Sequence, residues 1–215
     1  MGLLSDNHTF RLSDSMTRVA FVNGKGGVGK TTCSMLFAAA LQDANQSVSV
    51  DDRDPQQSAT NAAAIFEIPI GQHASVVIVD TAPTITHPAT IEAVRMADLV
   101  ILVTTPSPLD LATTAATAKL IQAERTGPTR LLFNLVQTNN RFFEGMAEIA
   151  KEIPFPALKH FLIRRTAYQT AQLYGWRALP PLHREEVLKV AMDIAEILPS
   201  DNPTVGQTEL QTIRK

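Results

Sequence analysis

Along the chain, short unbroken runs of Val, Ile and Leu alternate with longer stretches in which apolar residues recur every three or four positions. The runs Arg18–Asn23, Ser47–Asp51, Ser75–Val79, Leu99–Thr104 and Arg130–Val136 have the near-continuous apolar character of strands buried on both faces of a parallel sheet. Stretches near 31–44, 57–65, 87–97, 110–124 and 141–152 read as helices. Strand, helix, strand in regular succession predicts an α/β fold of three layers: a mostly parallel twisted sheet flanked by helices on both sides, with right-handed crossovers. Ligands in such sheets sit at the carboxyl ends of the strands, so the glycines and acids that punctuate those ends are the candidates for chemistry. After Pro154 the pattern changes to a short segment at Phe161–Arg164, a helix over 166–174, a Pro180-Pro181 break and a last helix over 184–198. One domain is expected over 17–198, between flexible extensions at 1–16 and 199–215 that show no periodicity.

Composition narrows this picture. With 215 residues and 45% hydrophobic content there is material for one sizeable core and no second domain. A net charge of −2 argues against a surface coated in basic residues, so any nucleic-acid contact has to come from a local patch. Cys33 stands alone, which excludes an internal disulfide and any two-cysteine metal or redox motif within one chain. The five histidines lack metal-ligand spacing. No apolar run is long enough to span a bilayer and no secretory leader is visible, so a cytoplasmic protein without a membrane anchor is expected.

The strongest chemical signal lies between the first strand and the first helix. Gly24-Lys25-Gly26-Gly27-Val28-Gly29-Lys30-Thr31 fits the phosphate-loop template, and Thr32 follows it. Glycines let the backbone curl with its N–H groups inward, and the next helix adds the positive end of its dipole, which together make an anion nest. Lys30 is placed to reach the β- and γ-phosphates of a nucleotide, the Thr31 hydroxyl suits Mg2+, and Thr32 can donate to the α-phosphate. The run Val76–Val79 followed by Asp80 has the form of an apolar strand ending in a carboxylate that holds magnesium through water. Cys33 and Trp176 read as packing residues.

The sequence Lys25-Gly-Gly-Val-Gly-Lys-Thr-Thr32 resembles the deviant Walker A loop of the ParA/MinD family of P-loop ATPases, in which Lys25 occupies the place of the signature lysine. The resemblance implies ATP as ligand and a homodimer that sandwiches two ATP molecules, each signature lysine reaching the nucleotide of the other subunit as a cation near the developing phosphoryl charge. Asp52-Arg53-Asp54-Pro55-Gln56 is similar to the second acidic motif of the family. By that likeness Asp54 positions the attacking water, and Asp52 supports either the magnesium shell or the loop. Lys25, Lys30 and Asp54 are thus the implied catalytic residues, and Thr31, Asp52 and Asp80 the implied metal site. Pro106-Ser-Pro-Leu-Asp-Leu111 also resembles the family, and the likeness covers residues 17 to about 124. Beyond it, Asn134 at a strand end is open to two readings, an approach to adenine or a plain loop role, and Phe161–Arg165 is similar to a late strand-to-helix passage. One departure is a short segment between Asp54 and the third strand, which leaves helix 57–65 to make that crossover alone.

Between Lys151 and Lys189 seven Lys/Arg face three acids, a net of +4, so the remainder carries −6. Such a strip suits sequence-independent contact with DNA phosphates, with Arg164 and Arg165 as first candidates and Lys159 and Arg184 behind them. A solvated helix face accounts for the same count equally well. The tail Gln207–Lys215 does not supply the amphipathic helix of a MinD-type membrane anchor. With no N-terminal DNA-binding domain in view, the chain resembles the short ParA proteins of plasmid partition. That likeness implies nonspecific DNA binding, nucleoid association, slow intrinsic hydrolysis and a centromere-binding adaptor of the ParB type that accelerates it. The expected function is therefore partition of a plasmid or chromosomal locus. Positioning of a protein cargo such as a carboxysome or chemoreceptor cluster is the first alternative, and a nucleotide-switched binding module without significant turnover the second.

Overall fold

The structure is a computed structural model that describes residues 15–137 and 151–198. Five strands form one sheet: β1 (Thr17–Val22), β2 (Val48–Arg53), β3 (Val76–Thr81), β4 (Leu99–Thr104) and β5 (Thr129–Phe133). Their order is β2-β3-β1-β4-β5, and every pairing is parallel. Six α-helices accompany them among the described residues: α1 (Lys30–Asp43), α2 (Ser58–Phe66), α3 (Pro88–Met96), α4 (Pro108–Glu124), α5 (Thr166–Tyr174) and α6 (Pro181–Ala195). A 3-10 turn over Trp176–Ala178 joins the last two.

Alternation along each strand divides the core into two layers. Val19 and Phe21 of β1 pack with α1, α2, α5 and α6, whereas Ala20 and Val22 pack with α3 and α4. All six residues of β3 and of β4 are buried, as expected of strands covered on both faces. The three-layer reading of the sequence therefore holds. The flexible extensions expected at both ends fall outside the described residues, Ser15 and Met16 excepted. So does the helix expected over 141–152, except for Lys151 and Glu152, which form a turn.

Four differences bear on the candidate residues. Strand β2 continues two residues beyond Asp51, and β3 continues through Asp80 to Thr81, so Asp52 and Asp80 stand opposite each other in the ladder. The short segment after Asp54 does not lead straight from α2 to β3. Ile70 first makes a parallel bridge with Val50 on the outer edge of β2, closed by Val50 N–H to Pro69 O and Gly71 N–H to Val50 O, each 2.9 Å. Four residues then reach β3 without a helix, and the exposed amide row of β2 is partly covered. At the opposite edge β5 stops at Phe133 because Leu135 takes a left-handed conformation at φ 57°. Residues 157–163 then run alongside, with bridges Leu131 to Ala157 and Val136 to Ile163. The last helix begins at Pro181, three residues before Arg184, because a proline at the first helical position loses no hydrogen bond.

Candidate functional site

At the carboxyl end of β1 the chain enters the glycine loop and then α1. Gly27 and Gly29 have φ of 81° and 90°, values that favour glycine. A Cβ on Gly27 would meet nothing within 4 Å, so the loop is open beside that residue. Gly29 is the N-cap of α1, no side chain caps that end, and its first turn holds no acid. The first N–H groups of a 14-residue helix are thus left for an outside acceptor. Asn134, 2% exposed, braces the loop from behind: its Nδ2 donates to Val28 O at 2.9 Å, and a Cβ on Gly29 would lie 2.2 Å from that nitrogen. Of the two readings open for Asn134, support of the loop is the contact present.

Lys30 is 6% exposed, and its Nζ donates to Lys25 O at 3.1 Å across the loop. Burial lowers its pKa, opposed by the charges of Asp80 and Asp54, which places both acids within electrostatic reach of the ammonium. Asp80 is fully buried. Its carboxyl is pushed up to about 6 by burial, while hydrogen bonds from Thr31 and Ser34 pull downward, Asp52 pushes upward and Lys30 pulls downward. Thr31 Oγ1 donates to Asp80 Oδ2 at 2.7 Å, and Ser34 Oγ lies 2.8 Å from Oδ1. Both hydroxyls therefore orient the carboxylate at the foot of the loop.

Asp52 and Asp54 divide their work. Asp52 Oδ1 accepts Asp54 N–H at 3.0 Å, and Oδ2 accepts the N–H and hydroxyl of Thr60 at 2.7 and 2.9 Å. Oδ1 thus holds the loop at Asp54 and Oδ2 the start of α2, while Oδ1 keeps a lone pair for a further contact. Asp54 is 9% exposed and uses Oδ1 to accept Gln56 N–H at 2.9 Å, leaving Oδ2 without a hydrogen bond among the described residues.

Lys25 does not extend into solvent. Its ammonium pairs with the Asp110 carboxylate in the first turn of α4. Thr105 donates to the other oxygen of Asp110. Burial raises the Asp110 carboxyl, but the hydrogen bonds from Lys25 and Thr105 and the Lys25 charge outweigh it and hold the group below its ordinary value.

A nucleoside phosphate fits these residues: an uncapped helix end, an open glycine nest and one buried cation face the same point. Mg2+ fits as an ion held through water and the Thr31 hydroxyl, with Asp80 behind it. No cluster of three or more ligating His, Cys, Asp or Glu side chains occurs among the described residues, so a cage of protein ligands alone is not formed there. A cavity of about 220 Å³ at the C-terminal ends of α1, α2 and α5 lies at the far end of α1, about 20 Å from the loop by helix rise, and none of the expected site residues lines it.

The model of the CobQ/CobB/MinD/ParA nucleotide-binding domain matches residues 19–176, which is most of the chain and includes the glycine loop and both acidic strand ends. The chain belongs to this family. Among curated relatives, the maintenance of carboxysome distribution protein A of Gloeobacter kilaueensis is 33% identical over 177 residues, 73% of this chain and 81% of that protein. The protein of the same name in Halothiobacillus neapolitanus is 26% identical over 188 residues, 76% and 87% of the two chains. A plasmid partition protein of Borrelia burgdorferi has a similar fold, with a TM-score of 0.63 at 15% identity over 85% of this chain and 99% of that one.

Within this ParA/MinD-type domain the basic strip carries ion pairs that a count along the chain does not show. Lys159 pairs with Glu196 at 2.6 Å and Arg165 with Glu186 at 3.3 Å, while His160 meets Asp193 at 3.0 Å. Asp193 and Glu196 lie beyond the counted stretch and fold back onto it, which lowers the excess from +4 to +2. Of the four candidates, Arg164 is exposed and has no ion pair among the described residues, and Arg184 is half-buried with its Nε unpartnered. Cys33 is 2% exposed in the core, its thiol pushed up by burial, and Trp176 packs in the same layer. The sequence reading assigned no role to Ser34, Thr60, Asp110 or Gln172. Ser34 could have been found at four residues after Lys30 on one helix, and Asp110 inside the Pro-Ser-Pro-Leu-Asp motif. Gln172 carries no local signal. No helix among the described residues is long and apolar enough to cross a membrane.

Proposed function

We propose that this ParA/MinD-type domain is an ATPase that positions a protein cargo of the carboxysome kind, switching between a monomer and an ATP-bound homodimer. The observation that carries the cargo is the 33% identity over 177 residues to a protein named for maintaining carboxysome distribution. Plasmid or chromosomal partition, the function expected from the sequence, takes second place, since the resemblance to a plasmid partition protein is one of fold at 15% identity.

The loop N–H groups from Gly24 to Thr32 bind phosphate oxygens, and Lys30, already stripped of water, neutralises the charge between them. Mg2+ supplies Lewis-acid stabilisation of the phosphoryl oxygens when bound. Asp80 orients the Thr31 hydroxyl for it. Asp54 accepts a hydrogen bond from the attacking water through Oδ2 and aims it along the line of displacement. Lys25 leaves Asp110 to reach the nucleotide of the second subunit, so dimer formation competes with an internal ion pair. A cargo adaptor then stimulates slow hydrolysis, and exposed cations such as Arg164 hold the dimer on DNA as its track.

Deletion of the gene in its host tests the assignment. The expected result is clustering or uneven inheritance of the cargo particle with plasmid retention unchanged. Plasmid loss with normal particle spacing would return the chain to partition. Light scattering with ATP provides the second check, with a dimer expected for the unaltered chain and a monomer for Lys30→Ala.

A further inference from the structure

We infer that Gln172 is a positioning residue for the nucleotide, holding the Thr32 hydroxyl so that its proton faces the α-phosphate; this rests on the reading that Thr32 serves that phosphate. Gln172 Nε2 donates to Thr32 Oγ1 at 2.5 Å, linking α5 to the first turn of α1 across 140 residues of sequence. A threonine hydroxyl has one proton and two lone pairs. The amide nitrogen can only give a proton, so it occupies a lone pair and leaves the hydroxyl proton for another acceptor.

Within the protein the usual acceptor would be the carbonyl four residues back, as Lys30 O is for Ser34 Oγ at 2.9 Å, shared there with Asp80 at 2.8 Å. For Thr32 that carbonyl belongs to Val28, which accepts from Asn134 and is not hydrogen-bonded by the Thr32 hydroxyl. Thr32 donates to no acceptor among the described residues, and it stands beside an uncapped helix end suited to an anion. Gln172 is moreover on a fixed arm. Tyr168, one turn earlier on its helix face, and the adjacent Ala171 are buried, and α5 ends at Gly175, where a Cβ would lie 2.6 Å from Ile65 O of α2. A rigid support of this kind sets a rotor direction before the ligand arrives.

Equilibrium binding of ATP and of ADP to the full chain tests the inference, with melting temperatures measured alongside. Gln172→Glu replaces the donor by a group that only accepts, so Thr32 turns its proton away. Its Kd should rise about 10- to 100-fold, by the same factor for both nucleotides because both carry the α-phosphate. Gln172→Lys, which still donates, should stay within about threefold of the unaltered chain or bind tighter. In a Thr32→Ala background the Glu substitution should add less than about threefold, because the group it acts through is gone. If Thr32→Ala leaves binding unchanged, the assignment of Thr32 fails and the inference falls with it. If Thr32→Ala weakens binding while Gln172→Glu does not, or the Glu effect persists undiminished without the hydroxyl, Thr32 keeps its role and Gln172 loses its own. Should Gln172→Glu fail to fold, Gln172→Met is read instead, with a loss of about threefold that Thr32→Ala abolishes.

Discussion

The glycine loop and the basic strip over 159–184 both present cations, yet only the loop keeps them directed at a prospective ligand. Lys30 is almost fully buried and turned to a backbone carbonyl that sets its direction without neutralising it. In the strip, Lys159 and Arg165 instead face carboxylates supplied by α6. The loop is contiguous in sequence, so its nine residues carry their geometry with them. A charge excess counted along the chain describes a surface only after the fold has decided which acids arrive beside it. Lys25 belongs to the second kind, although it stands in the first region, because Asp110 comes to it from 85 residues away.

Four substitutions divide the two regions. The largest effect is expected for Asp54→Asn, which keeps an acceptor for Gln56 N–H while removing the carboxylate: turnover should fall about 100-fold or more, with ATP affinity and dimerisation unchanged. Unaltered single-turnover hydrolysis would remove Asp54 from the mechanism.

Next comes Asp110→Asn, which frees Lys25. The ATP concentration at half-dimerisation should fall by up to about fivefold, since a partly exposed ion pair contributes at most about 1 kcal/mol. The same pair should show in thermal melts against pH. Asp110 in the folded chain is held below its ordinary 3.8, so its contribution is complete above that value and is lost as pH falls through the folded value. The difference in melting temperature between the unaltered chain and Asp110→Asn should therefore shrink on acidification below 3.8, and a constant difference would mean the pair is absent in solution.

The smallest effect belongs to the strip. Arg164→Ala should weaken binding to random-sequence DNA and reduce the slope of log affinity against log salt by about 1, whereas Arg165→Ala changes less because Glu186 already holds that guanidinium. Equal losses from both would show that the ion pair opens on DNA.

Legibility followed the range of the interactions. Strand runs and helix periods foretold the parallel three-layer sheet, because burial on both faces is written into each strand separately. The loop was readable because its glycines, lysine and threonines lie in one unbroken stretch of sequence. Asp80 was readable by its place at a strand end, although its partners Thr31 and Ser34 come from another element. The course of 66–75 was not, since nothing in Ile68–Gly71 announces that it will bridge the outer edge of β2 before the chain turns to β3.

By itself the sequence determined the class of fold, the phosphate-binding loop and the acidic residues at two strand ends, all of which depend on contacts within a few residues or on burial patterns local to one element. The tertiary structure alone decided that Asp52 braces α2, that Lys25 rests on Asp110, that Gln172 reaches Thr32 and that Lys159 and Arg165 meet Glu196 and Glu186. Each of those contacts joins residues from different elements. Which side chain meets which is fixed by how helices seat on the sheet, and that placement is a property of the whole core.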